Sequence, residues 1–320
     1  MLSRVAESLY WTARSIERAE NTSRLVDVTF HSLLDARVSD PEEAWRDLLR
    51  AVGRDELFRE HFSEYTPQAV TGFLISHPGN PDSVMASVER ARENLRGVRE
   101  QISSEMWEHL NRLHLLVART RPARVLEAPH EFLVRVREGS HAFQGVTKLT
   151  LSRGEAYAFL SLGAHLERAD TTARVLLTNV PTLVDGSGDR LPSLLRSCGA
   201  FEAFRRHESE AVQGERVADF LLLDRSFPRS VLFCAERCLE AIRFVSGNSQ
   251  QPERSLGILV ARLAFADVPQ LEPPSLAALL DEVLVGLNVV GNELGGAYFA
   301  TRVVLPGPYA QQQQQQQQGS

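Results

Sequence analysis

A fourteen-residue segment of this 320-residue chain recurs in related form, and that repetition constrains its fold more than any other feature. LLRAVGRDELFREH (48–61) and LLRSCGAFEAFRRH (194–207) share eight identical positions at an offset of 146: two Leu, Arg, Gly, Glu, Phe, Arg and His. LYWTARSIERAENTSRLV (9–26) returns as FLSLGAHLERADTTARVL (159–176) at an offset of 150. FLISHPGNPDSVMASVER (73–90) returns as FLLLDRSFPRSVLFCAER (220–237) at an offset of 147. Three blocks in the same order at nearly constant offsets predict a tandem duplication with small loop insertions. The expected product is two similar helical halves, about 3–122 and 150–300, packed with internal pseudo-symmetry.

Periodicity makes these halves helical. Val5, Leu9, Thr12, Ile16, Ala19, Ser23, Val26 and Phe30 recur at spacings of three and four, placing a mostly apolar stripe on a helix from Ser3 to roughly residue 36. At 1.5 Å per residue that helix spans about 50 Å and serves as the spine of a bundle. Asp40-Pro41-Glu42-Glu43 reads as an N-cap with proline at the first helical position, opening a helix through Leu49 that Gly53 stops. Ser83 is placed to cap a helix through Val98 and beyond, Ser104 to cap the next, and TRPAR (120–124) reads as a break. A helix from Pro129 to Leu149 has no evident counterpart at the start of the chain. Ser152 and Glu155 have the spacing of a capping box for the second spine. Segments 181–192 and 269–274 read as loops, and 275–300 as a last apolar helix.

The expected organisation is therefore an all-α, internally duplicated helical bundle: a first repeat over 1–122, a connecting helix over 123–150, a second repeat over 151–305 and a disordered Gln-rich tail over 306–320.

Composition removes several function classes. A net charge of −6 and a pI near 5.9 leave no bulk positive field for nucleic acid or an anionic membrane surface. Cys198, Cys234 and Cys238 are too few for a disulfide framework, and MLSRVAES lacks a secretory pattern, so a reducing cytoplasm is expected. No uninterrupted apolar run approaches the roughly 18 residues of a membrane span. GxSxG, P-loop and GxGxxG signatures do not occur, and no cofactor is expected.

The candidate functional residues are the Glu-Arg pairs and their neighbours: Glu17-Arg18, Glu89-Arg90, Glu167-Arg168 and Glu236-Arg237, with Glu20, Arg24, Asp170 and Arg174. Adjacent helical residues point about 100° apart, so Glu and Arg of one pair face different neighbours. Within a helix Glu17 can reach back to Arg14, Glu20 on to Arg24, and Asp170 on to Arg174. Such exposed pairs contribute only about 0.3–0.5 kcal/mol, too little to explain four placements. Glu17 and Arg18 follow Ile16, and Glu167 and Arg168 follow Leu166, so each sits at the edge of the buried stripe. Crossed pairing of Glu17 with Arg168 and of Glu167 with Arg18 would fix the register of the two spines.

Three readings follow: a buried structural ion-pair network, a charged interhelical cavity that binds a ligand, or simple surface charge. A dinuclear carboxylate site needs Glu-x-x-His motifs on facing helices; the nearest pattern, Glu105-x-x-x-His109, stands alone, and no metal is expected. His61 and His207, at equivalent positions, read as groups that cap or hydrogen-bond at short helix ends, and Cys234 and Cys238 read as packing. Tyr10, Trp11, Trp107 and Tyr298 read as interface aromatics. Arg121, Arg124 and Arg229 read as loop charge that an acidic partner could meet. No catalytic residue is assigned.

LSRVAESLYWTARSIERAEN, HLERADTTARVL, AFQGVT (142–147) and LDRSFPRSVLFCAER (223–237), in that order, resemble the bacterial alpha-E family, a helical domain named for its Glu-Arg motif; the resemblance covers residues 1–305. The motif positions are Glu17-Arg18 and Glu167-Arg168, and the second copy departs from the first where Trp11 becomes Ser161 and Asn21 becomes Thr171. The resemblance implies tandem duplication and genomic association with circularly permuted ATP-grasp ligases, transglutaminase-like proteins and Ntn-hydrolase peptidases, hence a peptide synthesis or modification system. It implies a non-catalytic partner or substrate-holding component of that system, whose partners are the ATP-grasp ligase and a peptide substrate. The alternative is a helical enzyme with Glu17, Arg18, Glu167 and Arg168 around its active site.

Overall fold

The computed structural model describes residues 1–34, 40–184, 190–208, 212–245, 250–268 and 272–299. The glutamine tail expected over 306–320 lies outside them, as do residues 35 and 36 at the expected end of the first spine.

The first spine is α1 (Ser3–Leu34), and the described residues are helical with no strand. The Asp40 carboxylate accepts from the Glu43 N–H at 3.1 Å and opens α2 (Pro41–Ala51). Gly53 follows at φ 66°, a left-handed turn that glycine adopts without a Cβ clash, and α3 (Asp55–Arg59) begins. Thr66 caps α4 (Pro67–Ser76) and Ser83 caps α5 (Val84–Arg96). The latter ends at Gly97, short of the expected Val98, and a 3-10 turn follows over Arg99–Gln101. Ser103, not Ser104, caps α6 (Ser104–Arg119), its hydroxyl accepting from the Met106 N–H at 3.2 Å.

The expected break at 120–124 is instead a short helix, α7 (Pro122–Glu127), because Pro122 at the first helical position lacks only an N–H the helix would leave unused. Then come α8 (Pro129–Thr150) and the second spine, α9 (Glu155–Thr178). The expected capping box does not form: α9 starts at Glu155 with Gly154 at its cap, so Ser152 is two residues too early. The Glu155 carboxylate instead accepts from the amino group of Met1 at 2.9 Å.

Segment 181–192, expected as loop, carries α10 (Val180–Val184) and the start of α11 (Leu191–Ser197), with 185–189 outside the described residues. Beyond Gly199, at φ 60°, lie α12 (Phe201–His207), α13 (Gly214–Leu223), α14 (Val231–Val245), α15 (Gln251–Ala264) and α16 (Pro273–Leu294). Helix α16 runs into a π-helical turn over Gly295–Phe299.

The two spines lie against each other and organise the rest. Helices α5 and α8 flank α1, with α6 bridging α5 and α8; α14 and α16 flank α9, with α15 bridging α14 and α16. Helix α2 also touches α9, and α11 touches α1. One continuous apolar core results, from Leu9 and Ile16 through Leu49, Phe73 and Leu110 to Leu166, Phe204, Leu256 and Leu287.

Helix α16 with its π-helical turn is long and apolar enough, by length and composition, to cross a membrane. Here Leu279, Leu280, Val283, Leu287 and Val290 are buried, and α16 packs on α9 and α15.

The spines come into close contact at Gly163. A Cβ there would lie 2.2 Å from the Tyr10 carbonyl oxygen, so this glycine sets the spacing that lets polar side chains meet across the crossing.

Candidate functional site

Both spines bring their Glu-Arg pair to the shared crossing, and the pairing is reciprocal. The Arg168 guanidinium donates from Nε to Glu17 Oε1 at 2.7 Å and from Nη2 to Glu17 Oε2 at 2.7 Å. Arg18 donates from Nε to Glu167 Oε1 at 2.6 Å and from Nη2 to Glu167 Oε2 at 3.0 Å. Two fork-on-fork pairs, each the stronger class of ion pair, thus bolt the spines together. Arg14 joins Glu167 at 2.7 Å across the crossing instead of pairing with Glu17 on its own helix, and its Nη1 donates to the Tyr10 hydroxyl.

Other elements complete the shell. Gln144, from α8, donates to Glu17 at 2.8 Å and accepts from Arg168 at 3.2 Å. Arg229, expected as loop charge, is partly buried ahead of α14, donating to Glu20 at 2.6 Å and Asn21 at 2.8 Å with Glu17 3.6 Å away. Glu20 also takes Arg24 and has His141 at 3.3 Å. Asp82 holds the corresponding place before α5, and Arg18, Arg54 and Arg90 converge on it. Asp170 takes Arg174 through two bonds, at 2.8 and 3.2 Å.

The arginines of the two spines also reach the positive-φ turns. A side chain at Gly53 would meet the Arg174 guanidinium at 3.4 Å, and one at Gly199 would meet that of Arg24 at 3.2 Å.

The other two Glu-Arg pairs stay out of the crossing. Glu89 is exposed on α5, and only its neighbour Arg90 turns inward, to Asp82. On α14, Glu236 lies 3.4 Å from Arg225, and Arg237 pairs with Glu240 at 2.6 Å.

Burial by itself would raise the carboxyls of the crossing, and paired charge overrides it. Glu167 is held down to about 2 by Arg18 and Arg14; Glu17 is lowered by Arg168 and Arg229, and Glu20 lies well below the carboxylate range through Arg229, His141 and Arg24. His165, beside the crossing, is pushed down to about 4 by burial and then by the Arg168 charge. All four shifts act in one direction. A depressed carboxyl contributes stability that is fully present above its unfolded value near 4.5 and is lost as pH falls through its folded value. A depressed imidazole likewise leaves the unfolded state binding more protons below about 6.5. Stability is therefore expected to decline from pH 6.5 to 4 as His165 is forced to charge. It should fall further from about 4.5 to 2, by about 3 kcal/mol for Glu167 alone, which urea midpoints measured across that range will show.

With every carboxylate answered by guanidinium, the crossing offers neither an open metal site nor a free base. Burial pushes the Cys198 and Cys234 thiols up to about 12 and Cys238 well above the usual thiol value, so none is a ready nucleophile. The His61 ring packs on Phe73 and His77, and that of His207 on Phe220.

A cavity of about 460 Å3 lies elsewhere, between α1, α2, α9, α11 and α12. Its floor is apolar, including Leu25, Leu48 and Val175; Thr29, Ser32, Asn179, Ser193 and Ser197 supply polar groups. The exposed arginines Arg190, Arg196 and Arg205 stand against one carboxylate, Asp47, whose pKa is raised by burial and then by Glu43.

An all-helical module whose two longest mutually packed helices exchange Glu-Arg pairs at their crossing defines a narrow class. The chain belongs to the Alpha-E family, a predicted alpha-helical domain with a conserved ER motif, whose model matches residues 1–299. It is also similar to an uncharacterized protein of Mycobacterium bovis and to two of Mycobacterium tuberculosis strains, each 24% identical over 330 residues. These alignments cover 95% of this chain and 37% of each relative, so the chain spans little more than a third of their length. No solved structure matches it.

Proposed function

We propose that this chain is a non-catalytic, substrate-holding module of an ATP-grasp-type peptide or amide synthesis system, with the Glu-Arg crossing as its scaffold and the 460 Å3 cavity as its holding site. One observation carries the reading: the crossing is self-satisfied, whereas the cavity combines an apolar floor with a lining of three arginines and one carboxylate. That chemistry suits a peptide bearing carboxylates, the substrate type an amide ligase activates. The greater length of the mycobacterial relatives supports a module that works beside other protein.

The same reading includes the tandem duplication. The flanking of α1 by α5 and α8, and of α9 by α14 and α16, supports it; on this reading α8 corresponds to α16 and belongs with the first half.

The charge reversals Arg196→Glu and Arg205→Glu are expected to weaken capture of an acidic peptide by at least about tenfold, measured by fluorescence anisotropy, with the melting temperature nearly unchanged because both side chains are exposed. An ATP-grasp ligase of the same genomic neighbourhood should co-elute with the intact chain at micromolar concentration. Separate elution would remove the partnership, and peptide binding indifferent to both reversals would remove the holding site.

A further inference from the structure

Away from the crossing, an i,i+4 pair on α1 and one side chain of α8 come together where α1 meets the start of α8. Asp27 is buried on α1, His31 stands one turn later, and His130 is the second residue of α8. His130 Nδ1 lies 2.6 Å and His31 Nδ1 3.5 Å from the same oxygen, Asp27 Oδ1. One donor atom from each of the three residues falls within 4.8 Å of the others. Both imidazoles are about half exposed, at 52% and 58% of their side-chain surface. The other Asp27 oxygen, Oδ2, is held by Arg137 Nη2 at 2.9 Å.

We propose that Asp27, His31 and His130 form a mononuclear site for a divalent first-row transition ion of the zinc type. Zinc bonds to imidazole nitrogen and carboxylate oxygen are about 2.0–2.2 Å, which puts tetrahedral ligand atoms about 3.3 Å apart. The donors found here bracket that separation, so small rotations of two half-exposed rings close the site. Two imidazoles and one carboxylate suit zinc or ferrous ion far better than magnesium or calcium, which prefer oxygen ligands.

Arg137 occupies the place of an outer-shell partner: it ties down the oxygen that does not face the histidines and leaves Oδ1 as a single-point ligand. It also supplies the countercharge Asp27 needs, so ion pairing alone does not account for two further imidazoles converging on one oxygen. Coordination through Nδ1 of His31 would exchange its present contact with the Asp27 carbonyl, at 2.8 Å, for the metal. Three protein ligands on one side leave the solvent side for water or an anionic group.

The test is zinc titration of the intact, chelator-treated chain by calorimetry, with cobalt substitution as a spectroscopic readout. One equivalent of zinc should bind, cobalt should show the intense visible bands of a low-coordinate site, and zinc should raise the melting temperature. His31→Ala and His130→Ala should each weaken binding by at least about tenfold. His61→Ala, remote from the cluster, should bind as the unaltered chain does. Where an alanine variant fails to fold by circular dichroism, His31→Gln or His130→Gln replaces it. No zinc binding by the intact chain, or unchanged affinity in the folded double variant, would overturn the site.

Discussion

Arg168→Ala is expected to cost about 3–5 kcal/mol, the effect of removing one partner from a buried ion pair. Glu17, fully buried, would keep Gln144 at 2.8 Å and Arg229 at 3.6 Å but lose both bonds from Arg168. In a chain of this size the loss corresponds to a drop of about 10 °C in melting temperature, measurable by circular dichroism. The double variant Glu17→Gln with Arg168→Met should recover most of it, because the penalty lies chiefly in the stranded charge and not in the missing attraction. Arg237→Ala, breaking a half-exposed pair with Glu240, should cost under about 1 kcal/mol. A melting temperature for Arg168→Ala within about 2 °C of the unaltered chain would contradict a structural role for the crossing.

Gly163→Ala is expected to lose about 2–4 kcal/mol, reversing the usual helical preference for alanine, which favours it over glycine by about 1 kcal/mol. The new methyl would stand 2.2 Å from the Tyr10 carbonyl oxygen and 3.2 Å from the Ala13 Cβ. Backbone cannot rotate out of the way as a side chain can, so the spines must separate. Separation would also lengthen the Glu17–Arg168 and Glu167–Arg18 bonds, and the effects of Gly163→Ala and Arg168→Ala should therefore be strongly non-additive. Gly145→Ala on α8 is the internal control: nothing lies within 4 Å of its Cβ, and a gain approaching 1 kcal/mol is expected. Equal denaturant midpoints for Gly163→Ala and the unaltered chain would show that the spines can part without cost.

Much of the helical framework is legible in the chain because its signals are local. Asp40 and Ser83 cap where their side chains suggest, and Gly53 turns where a left-handed residue is needed. Local signals also mislead where the helix start shifts. Ser152 and Glu155 have capping-box spacing, yet α9 begins at Glu155, and the carboxylate takes the chain's amino terminus instead. Pro122 and Val180 open short helices in segments whose composition reads as loop.

The polar site was only half legible. Glu17, Arg18, Glu167 and Arg168 stand out because each follows an apolar stripe residue at the edge of a buried face. Arg229 and Asp82 carry no such mark, sitting in proline-bearing turns where charge is ordinarily solvated. Their one sequence signal is that they occupy equivalent positions in the aligned blocks with opposite sign.

By itself the sequence determined that the chain is helical, where several of its helices begin, and that two long spines carry Glu-Arg at the margin of their apolar faces; periodicity, caps and turn glycines act within a few residues. Only the tertiary structure decided which guanidinium answers which carboxylate, why Arg14 crosses to Glu167, and how Asp27 meets His130 and Arg137. The partners Glu17 and Arg168, Arg14 and Glu167, and Asp27 with His130 and Arg137 lie more than a hundred residues apart in the chain, and the Gly163 contact between the spines helps set the spacing at which the Glu-Arg pairs meet.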